Sequence, residues 1–358
     1  MGKTAREVMF GGRRIGDDTE AYVIAEIGHN HEGDLRRAQQ LLRAAAAAGA
    51  HGAKLQKRDN RSLFTYRMYQ EPYVGRNSYG PTYGKHREAL EFGWSEYAEL
   101  AALAREIGID FFASAFDMSS VDFLAKLDLP AIKIASADLT NTPLLEYAAG
   151  LGKPLIVSTG GAHLDDVRRA CEVVLRVNPQ LAVLQCTSVY PTPPELANLS
   201  VISTLRAEFP DVVVGYSGHD RGPELSWLAY ALGARVVEKH FTLDQTRPGS
   251  DHHFSLSPEG LTVLVDGLRR AHLALGDPGK RPLAEEAPAM RKMGKKLVAA
   301  RHLPAGHVLK AADVAIKSPG DGLKPYRLPE VLGRRLRVPL GLDDDIAVDL
   351  LDGCHDRC

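Results

Sequence analysis

The chain has little cysteine, four residues in 358, at Cys171, Cys186, Cys354 and Cys358. They are too few and too scattered for a disulfide framework, so a reducing compartment, the cytoplasm, is the expected location. No excess of either charge exists, with 44 Lys and Arg against 45 Asp and Glu; neither nucleic acid nor an anionic membrane is an expected partner. No apolar run reaches the length of a membrane span, and the basic N-terminus lacks the apolar core of a secretion signal. No glycine-rich dinucleotide fingerprint opens a helix, which argues against a nucleotide-binding doubly wound sheet.

What is present is a regular alternation. At 44% hydrophobic and 25% charged, the chain can bury one large core and a smaller one. Short β-branched runs read as strands at 22–27, 52–56, 110–114, 131–135, 154–158, 182–186, 212–216 and 234–238. Amphipathic helices are expected between them at 35–48, 95–107, 119–126, 143–150, 164–177, 199–208, 223–232 and 258–275. Eight strand–helix units at this spacing predict an α/β fold, a closed (β/α)8 TIM barrel, over residues 1–276.

Two segments break the pattern. Residues 57–93 form a long connection that includes Tyr66, Tyr69, Tyr73, Tyr79 and Tyr83; its aromatic content argues against disorder and for a loop over the barrel mouth. Residues 277–289, rich in proline and charge, read as a linker to a small, mostly β domain at 290–353. The tail at 354–358, Cys-His-Asp-Arg-Cys, has the residue types of a metal clip but no second ligand pair, and reads as a frayed end.

The chemistry gathers at the carboxyl ends of the predicted strands. His219 and His240 close two successive strands and are each either a hydrogen-bonded rim histidine or a metal ligand; Asp251, His252 and His253 follow closely. Glu26, Gln56, Ser114, Ser136, Asp138, Thr159, Ser188, Tyr190, Ser217 and Glu238 fall at or just past other strand ends. Lys54 and Lys133 lie inside apolar strands, where an ammonium needs an anion. That anion is either a protein carboxylate or a substrate phosphate or carboxylate.

Several segments together resemble the sialic acid synthase family, both the bacterial N-acetylneuraminate synthases and the animal 9-phosphate synthases. They are Ala25-Glu26-Ile27-Gly28-His29-Asn30-His31-Glu32-Gly33, Ala53-Lys54-Leu55-Gln56-Lys57, Lys133-Ile134-Ala135-Ser136-Ala137-Asp138, Gln185-Cys186-Thr187-Ser188-Val189-Tyr190-Pro191, Gly215-Tyr216-Ser217-Gly218-His219 and Glu238-Lys239-His240-Phe241. Residues 296–351 resemble that family's antifreeze-like SAF domain, and residues 81–87 with 90–92 are similar to the animal-type enzymes.

The resemblance implies a transferase that condenses phosphoenolpyruvate with an N-acylated, mannosamine-type aldose or its 6-phosphate, giving a nonulosonic acid or its 9-phosphate, and phosphate. It implies His219 and His240 as ligands of a divalent metal, Mn2+ or Mg2+. Lys54, Ser114, Lys133, Ser136, Ser188 and Ser217 would hold phosphoenolpyruvate, with Tyr190 in the same wall. Gln56, Glu238 and Asp251 join them as substrate-binding candidates. Glu26 and Asp138 would be the two carboxylates at the reacting centre, and either one can steer water. His31 either touches substrate or fixes its loop, and the role of His29 beside it is left open. The resemblance also implies a homodimer in which residues near 318–323 close the partner's barrel mouth.

Two departures bear on the acceptor. Asp138 stands where many bacterial members carry Glu, and Ser318 precedes Pro319-Gly320 where they often carry Arg. A metal-dependent barrel hydrolase or aldolase built on His219, His240 and Asp251, or a non-catalytic carbohydrate-binding protein, are the competing expectations.

Overall fold

A computed structural model describes residues 6–352; the tail at 354–358 lies outside the described residues. The chain divides into two compact units, Met1–Gly276 and Asp277–Cys358.

The first unit opens with a hairpin, β1 (Glu7–Phe10) and β2 (Arg13–Gly16), paired antiparallel. Eight parallel strands follow: β3 (Tyr22–Gly28), β4 (Gly52–Lys57), β5 (Asp110–Ala115), β6 (Ile132–Ile134), β7 (Leu155–Ser158), β8 (Leu181–Cys186), β9 (Val213–Gly218) and β10 (Val236–His240). They close in sequence order, with β10 pairing β3. The helices expected between strands are α1 (Leu35–Ala47), α5 (Trp94–Ile107), α6 (Met118–Lys126), α7 (Thr142–Gly150), α8 (Leu164–Leu175), α9 (Val201–Glu208), α10 (Glu224–Ala231) and α11 (Pro258–Leu275). Strands and helices begin and end within two residues of the expected positions.

The strands are apolar on both faces because one face packs the barrel interior and the other the helix ring. Ile24, Ala53, Ala113, Val157, Leu184 and Val214 are all within 2% of full burial. Helix ends carry the local signals that fix them. The Asp34 carboxylate accepts from the Arg36 and Arg37 N–H groups at the start of α1, and Gly108 ends α5 at φ 74°, where a side chain would be strained.

Two features differ from the sequence expectation. The hairpin had no counterpart in it, although Gly11-Gly12 between Val8-Met9-Phe10 and Arg13-Arg14-Ile15 is a two-residue turn signal. Val8, Phe10 and Ile15 are buried, and Phe10 meets Tyr22 edge-on at 5.3 Å. The long connection is not an irregular loop but carries α2 (Asn60–Leu63), α3 (Tyr66–Gln70) and α4 (Tyr83–Ala89). It is tied to the segment after β10 by the Tyr79 hydroxyl on Pro248 O (2.9 Å), Arg76 Nη2 on Thr246 O (3.1 Å) and the Gly249 N–H on Asn77 Oδ1 (2.9 Å).

In the second unit a short helix, α12 (Ala287–Met293), starts inside the stretch expected to be a linker. An antiparallel pair, β11 (Lys296–Ala299) and β12 (Val314–Lys317), and α13 (Leu328–Val331) follow. Among the described residues its core holds nine buried apolar side chains, from Leu297 to Leu351. Asp313 anchors this small unit: its buried carboxylate accepts from Arg301 Nη2 (2.6 Å), His307 Nε2 (2.8 Å) and the Lys310 N–H (3.0 Å).

The His307 hydrogen bond, with the Lys310 N–H and Arg301, outweighs desolvation and holds the Asp313 carboxyl below its ordinary 3.8. A depressed carboxylate stabilises the fold above its unfolded pKa and loses that contribution as pH falls through the folded value. Asp313→Asn should therefore cost the second unit about 1.5–3 kcal/mol at neutral pH, the scale of hydrogen bonds to a charged group. The difference from wild type should shrink as pH is lowered below about 4. Urea unfolding followed across pH checks this, and a pH-independent difference would contradict it.

Candidate active site

Alternation along each strand selects which side chains face the interior. On β10, Glu238 and His240 face in, whereas Lys239 is directed outward, paired with Asp220 Oδ1 at 3.0 Å. The ladder then brings the inward residues level: Glu26 beside Lys54 and His240, Ser114 beside Lys133, and Ser217 beside both Glu238 and Cys186. They enclose a cavity of about 730 Å³. Thirteen of the fourteen residues given a catalytic, substrate-binding or metal role from sequence line it: Glu26, Lys54, Gln56, Ser114, Lys133, Ser136, Ser188, Tyr190, Ser217, His219, Glu238, His240 and Asp251; the rim residue Thr159 does not, its hydroxyl donating to Leu184 O at 3.0 Å.

Asp138 is the exception. It ends the 3-10 turn Ser136–Asp138 that follows β6, stands half-buried outside the lining, and accepts from Asn141 Nδ2 at 3.1 Å. The carboxylate that shares the cavity with Glu26 and raises its pKa is Glu238.

Protein carboxylates supply the anions that the buried lysines need. Lys54 pairs with Glu26 and donates to Ser114 Oγ at 2.9 Å, while Gln56 Nε2 donates to Glu26 Oε1 at 2.6 Å. Lys133 Nζ lies 3.7 Å from Glu238 Oε1, which also accepts from Ser217 Oγ at 3.1 Å. The two carboxyls are driven apart. Burial raises Glu26, with Glu238 adding to the effect and Lys54 opposing it. Burial would raise Glu238 too, but Lys133 and Lys54 outweigh it and hold the group at about 2.

The two histidines are neutral donors of lone pairs. His219 Nδ1 lies 2.8 Å from the Thr187 carbonyl, so that nitrogen carries the proton and Nε2 is left free. Burial and then His240 lower its pKa to about 4. Burial also lowers His240, whose Nδ1 has no hydrogen bond and stands 3.7 Å from Asp251 Oδ2. The rings are 5.4 Å apart, with Tyr190 4.0 Å from His219 and Phe254 4.9 Å from His240. Among the described residues no set of three or more His, Cys, Asp or Glu is poised to hold a metal, so a metal here would take two imidazoles from the protein and complete its shell with water or substrate oxygen. Two neutral imidazoles, one with an orphaned buried nitrogen, fit that requirement.

Across the mouth, the ends of β6, β7 and β8 form a cradle. Ser136 Oγ accepts from the Gly160 N–H at 2.9 Å, and a Cβ on Gly160 would lie 2.3 Å from Ser188 Oγ. Ser158 Oγ, buried in the same wall, has no partner. Sequence reasoning passed over Gly160, Ser158, Cys186, Asn77, Arg58 and Arg87, all of which line the cavity. Arg58 was within reach of the period-two rule, being two residues beyond Gln56. His29 lines the cavity; His31 does not, and instead stacks on Phe92 at 4.2 Å and accepts from the Gly33 N–H at 3.1 Å, fixing the loop. His252 likewise packs away, against Thr242 Oγ1 at 2.7 Å.

The buried pairs make a test independent of any reaction. Glu238→Gln strips Lys133 of its counter-charge and should cost about 3–5 kcal/mol, whereas adding Lys133→Met should recover most of that loss. Urea unfolding of the single and double variants checks the coupling; additive losses would contradict it.

Comparison with known proteins follows the same outline. The family model described as the NeuB family matches residues 41–280, and that of the SAF domain matches residues 296–344. The chain is 40% identical over 342 residues to N-acetylneuraminate-9-phosphate synthase of Homo sapiens, covering 95% of each. It is 35% identical over 331 residues to N,N'-diacetyllegionaminic acid synthase of Legionella pneumophila, covering 91% of this chain and 93% of that one. Among solved structures, the sialic acid synthetase of Leptospira borgpetersenii superposes with a TM-score of 0.72 at 32% identity, covering 81% of this chain and 96% of that one. A putative spore coat polysaccharide biosynthesis protein E of Chromobacterium violaceum gives 0.78 at 27% identity, covering 94% and 100%. With a matching model over most of the barrel and relatives aligned almost end to end, the chain belongs to the NeuB family and carries that family's SAF domain.

Proposed function

We propose that the barrel cavity of this phosphoenolpyruvate-condensing transferase joins phosphoenolpyruvate to an N-acyl-mannosamine-type aldose or its 6-phosphate. The products are a sialic acid or related nonulosonic acid, free or as its 9-phosphate, and inorganic phosphate. The observation that carries this reading is the cavity lining, which brings Lys54 and Lys133 together with Ser114, Ser217 and the Ser136–Gly160–Ser188 cradle. A small substrate with both a carboxylate and a phosphate can engage the two lysines and the hydroxyls at once.

A divalent cation, manganese or magnesium, held by His219 and His240 would act as a Lewis acid on the aldehyde oxygen of the open-chain sugar. The protein's own groups supply the rest. Glu26, whose affinity for a proton is raised by burial, is suited to hold a proton and to steer water toward the phosphate-bearing carbon. Its place in the lining favours it over Asp138 for that part. Glu238, kept ionised by two lysines, is suited to stabilise positive charge developing at the same carbon. Gln56 orients Glu26 through its amide, and Tyr190 and Asp251 form the wall beside the histidines, where the sugar would lie.

Phosphate release from phosphoenolpyruvate, measured with a panel of mannosamine derivatives, tests the reaction. Chelation should abolish it and manganese or magnesium restore it, and His219→Ala or His240→Ala should lower the rate by at least about 100-fold. Full activity in chelator would end the metal assignment, and no acceptor-dependent release would end the condensation.

The same reading extends to assembly. A core of nine apolar side chains is small for a free-standing domain, and the second unit exposes Ile316, Tyr326 and Leu342. These features favour a homodimer in which residues near 318–323 of one chain close the partner's barrel mouth against water. The two cysteines among the described residues, Cys171 and Cys186, are free and buried, which suits a reducing cytoplasm, and no described helix is long and apolar enough to cross a membrane. A chain ending after Ala284 should fold yet lose most synthase activity, and light scattering on the full chain should give the mass of a dimer. A fully active monomer, or a truncated chain as active as the intact one, would overturn this assembly.

A further inference from the structure

The inner cations of the cavity are balanced, Lys54 by Glu26 and Lys133 by Glu238. Those of the outer wall, nearer the mouth, are not. Arg58, just past β4, is 8% exposed, and its guanidinium lies 3.6 Å over the Phe116 ring. Its hydrogen bonds go to neutral groups, Gln56 Oε1 at 2.8 Å and His29 Nε2 at 3.2 Å. Arg87 on α4 approaches the other nitrogen of the same ring, Nδ1, at 3.3 Å, and donates from Nε to Tyr83 Oη at 3.1 Å. Among the described residues neither guanidinium has a carboxylate within ion-pair distance. Glu91, whose charge acts on Arg58, is bound through Oε2 to Lys57 Nζ at 3.0 Å, and its Oε1 lies 4.0 Å from His29 Nε2; Asp138, which senses Arg58, accepts from Asn141 Nδ2, and Asp251, which senses Arg87, accepts from Ser250 Oγ at 2.6 Å.

His29 cannot satisfy both arginines. A neutral imidazole has one lone pair in its plane and one N–H, so one of the two guanidiniums meets a hydrogen rather than an acceptor. The ring cannot relieve the conflict by gaining a proton, because burial and the two arginines hold its pKa far below the ordinary range. Two positive charges therefore flank a neutral spacer, partly out of water and repelling each other. Beside them stands Asn77, whose Oδ1 is taken by the Gly249 N–H and whose amide hydrogens have no partner among the described residues. The arrangement presents donors to an anion the protein does not supply.

We infer that Arg58 and Arg87, with Asn77, form a subsite for a phosphate monoester on the acceptor, so that this synthase takes a hexosamine phosphate in preference to the neutral sugar. The inference rests on the condensation reading. Barrel topology assigns the phosphate to the acceptor: Arg58 and His29 follow β4 and β3, whereas the Ser136–Gly160–Ser188 cradle follows β6, β7 and β8 on the other side of the closed sheet, so the mouth holds two anion-binding walls facing each other. Phosphoenolpyruvate uses the cradle and the lysines, leaving the arginine wall for the second substrate. The paired fork geometry of two guanidiniums also suits a dianionic phosphate better than an N-acyl group.

Steady-state kinetics with N-acetylmannosamine and its 6-phosphate, on wild type, Arg58→Gln and Arg87→Gln, tests the assignment. Wild type should prefer the phosphorylated sugar, and each substitution should cut the ratio of kcat/KM for phosphorylated over neutral sugar by roughly 10–100-fold, the scale of one charge-assisted hydrogen bond. A wild type that prefers the neutral sugar, equal losses with both sugars, or a rise confined to the KM for phosphoenolpyruvate would overturn it. Calorimetric titration of the wild type and of Arg87→Gln, a half-buried position, with N-acetylmannosamine 6-phosphate separates this inference from the reaction. Binding that weakens at least tenfold in the variant upholds the subsite even where no sugar supports phosphate release, and equal binding overturns it.

Discussion

Two ion pairs inside the barrel, Glu26 with Lys54 and Glu238 with Lys133, are the constraint from which the rest of the site follows. Each partner is at most 7% exposed by its side chain. A buried ion pair rarely contributes net stability, since the desolvation of both charges offsets their attraction. An apolar interior of the same volume would hold the barrel together at least as well. The pairs make physical sense as a site kept charged in the absence of substrate, with the register of four strands fixing which ammonium meets which carboxylate. An incoming anion then meets lysines that are already desolvated and already oriented, and so avoids much of the reorganisation that water would require.

The pairs also divide the work between the carboxyls. Glu238 feels both lysines and stays ionised; Glu26 feels Lys54 but also the charge of Glu238, and binds a proton more readily. Two carboxyls in one cavity with opposite tendencies are the usual basis for assigning one to proton handling and the other to charge stabilisation. The imidazoles obey the same logic in reverse. With His219 held at about 4, its ring is neutral across the physiological range, and the Thr187 carbonyl fixes the tautomer that leaves Nε2 free. A ligand lone pair is thus available without competition from protons, as a metal site at neutral pH requires.

The barrel was legible because its signal is repetitive. Eight β-branched runs at regular intervals, each ending in a polar group, leave few alternative topologies, and period-two alternation then places Lys54, Gln56, Ser114, Ser217, Glu238 and His240 on one face. What escaped was set by contacts distant in sequence. The Glu7–Gly16 hairpin is short, and what secures it is Val8, Phe10 and Ile15 finding cover in the folded barrel. The three helices of the long connection hold together through Tyr73, Tyr83 and His86, whose stacking no local pattern announces. Asp138 shows what spacing leaves undetermined: it stands just past the strand end as expected, and the 3-10 turn there sets its orientation, with Asn141 Nδ2 donating to its carboxylate.

Charge distribution links these observations. The chain as a whole is nearly neutral, at −1, so long-range attraction contributes little to gathering anionic substrates. Selectivity for anions must instead be local, built from cations held where water cannot screen them. On the inner wall that is achieved with lysines whose charge is matched in advance by glutamates, which keeps the empty barrel stable. On the outer wall the two guanidiniums are unmatched, and Arg58 is tolerated there because Phe116, Gln56 and His29 give it a π-face and polar partners in place of a carboxylate. An anion would join the first arrangement by exchange of partners and the second by supplying a missing one. A ligand that joins the second wall relieves a repulsion already present in the free protein, so its binding stabilises the fold as well as the complex.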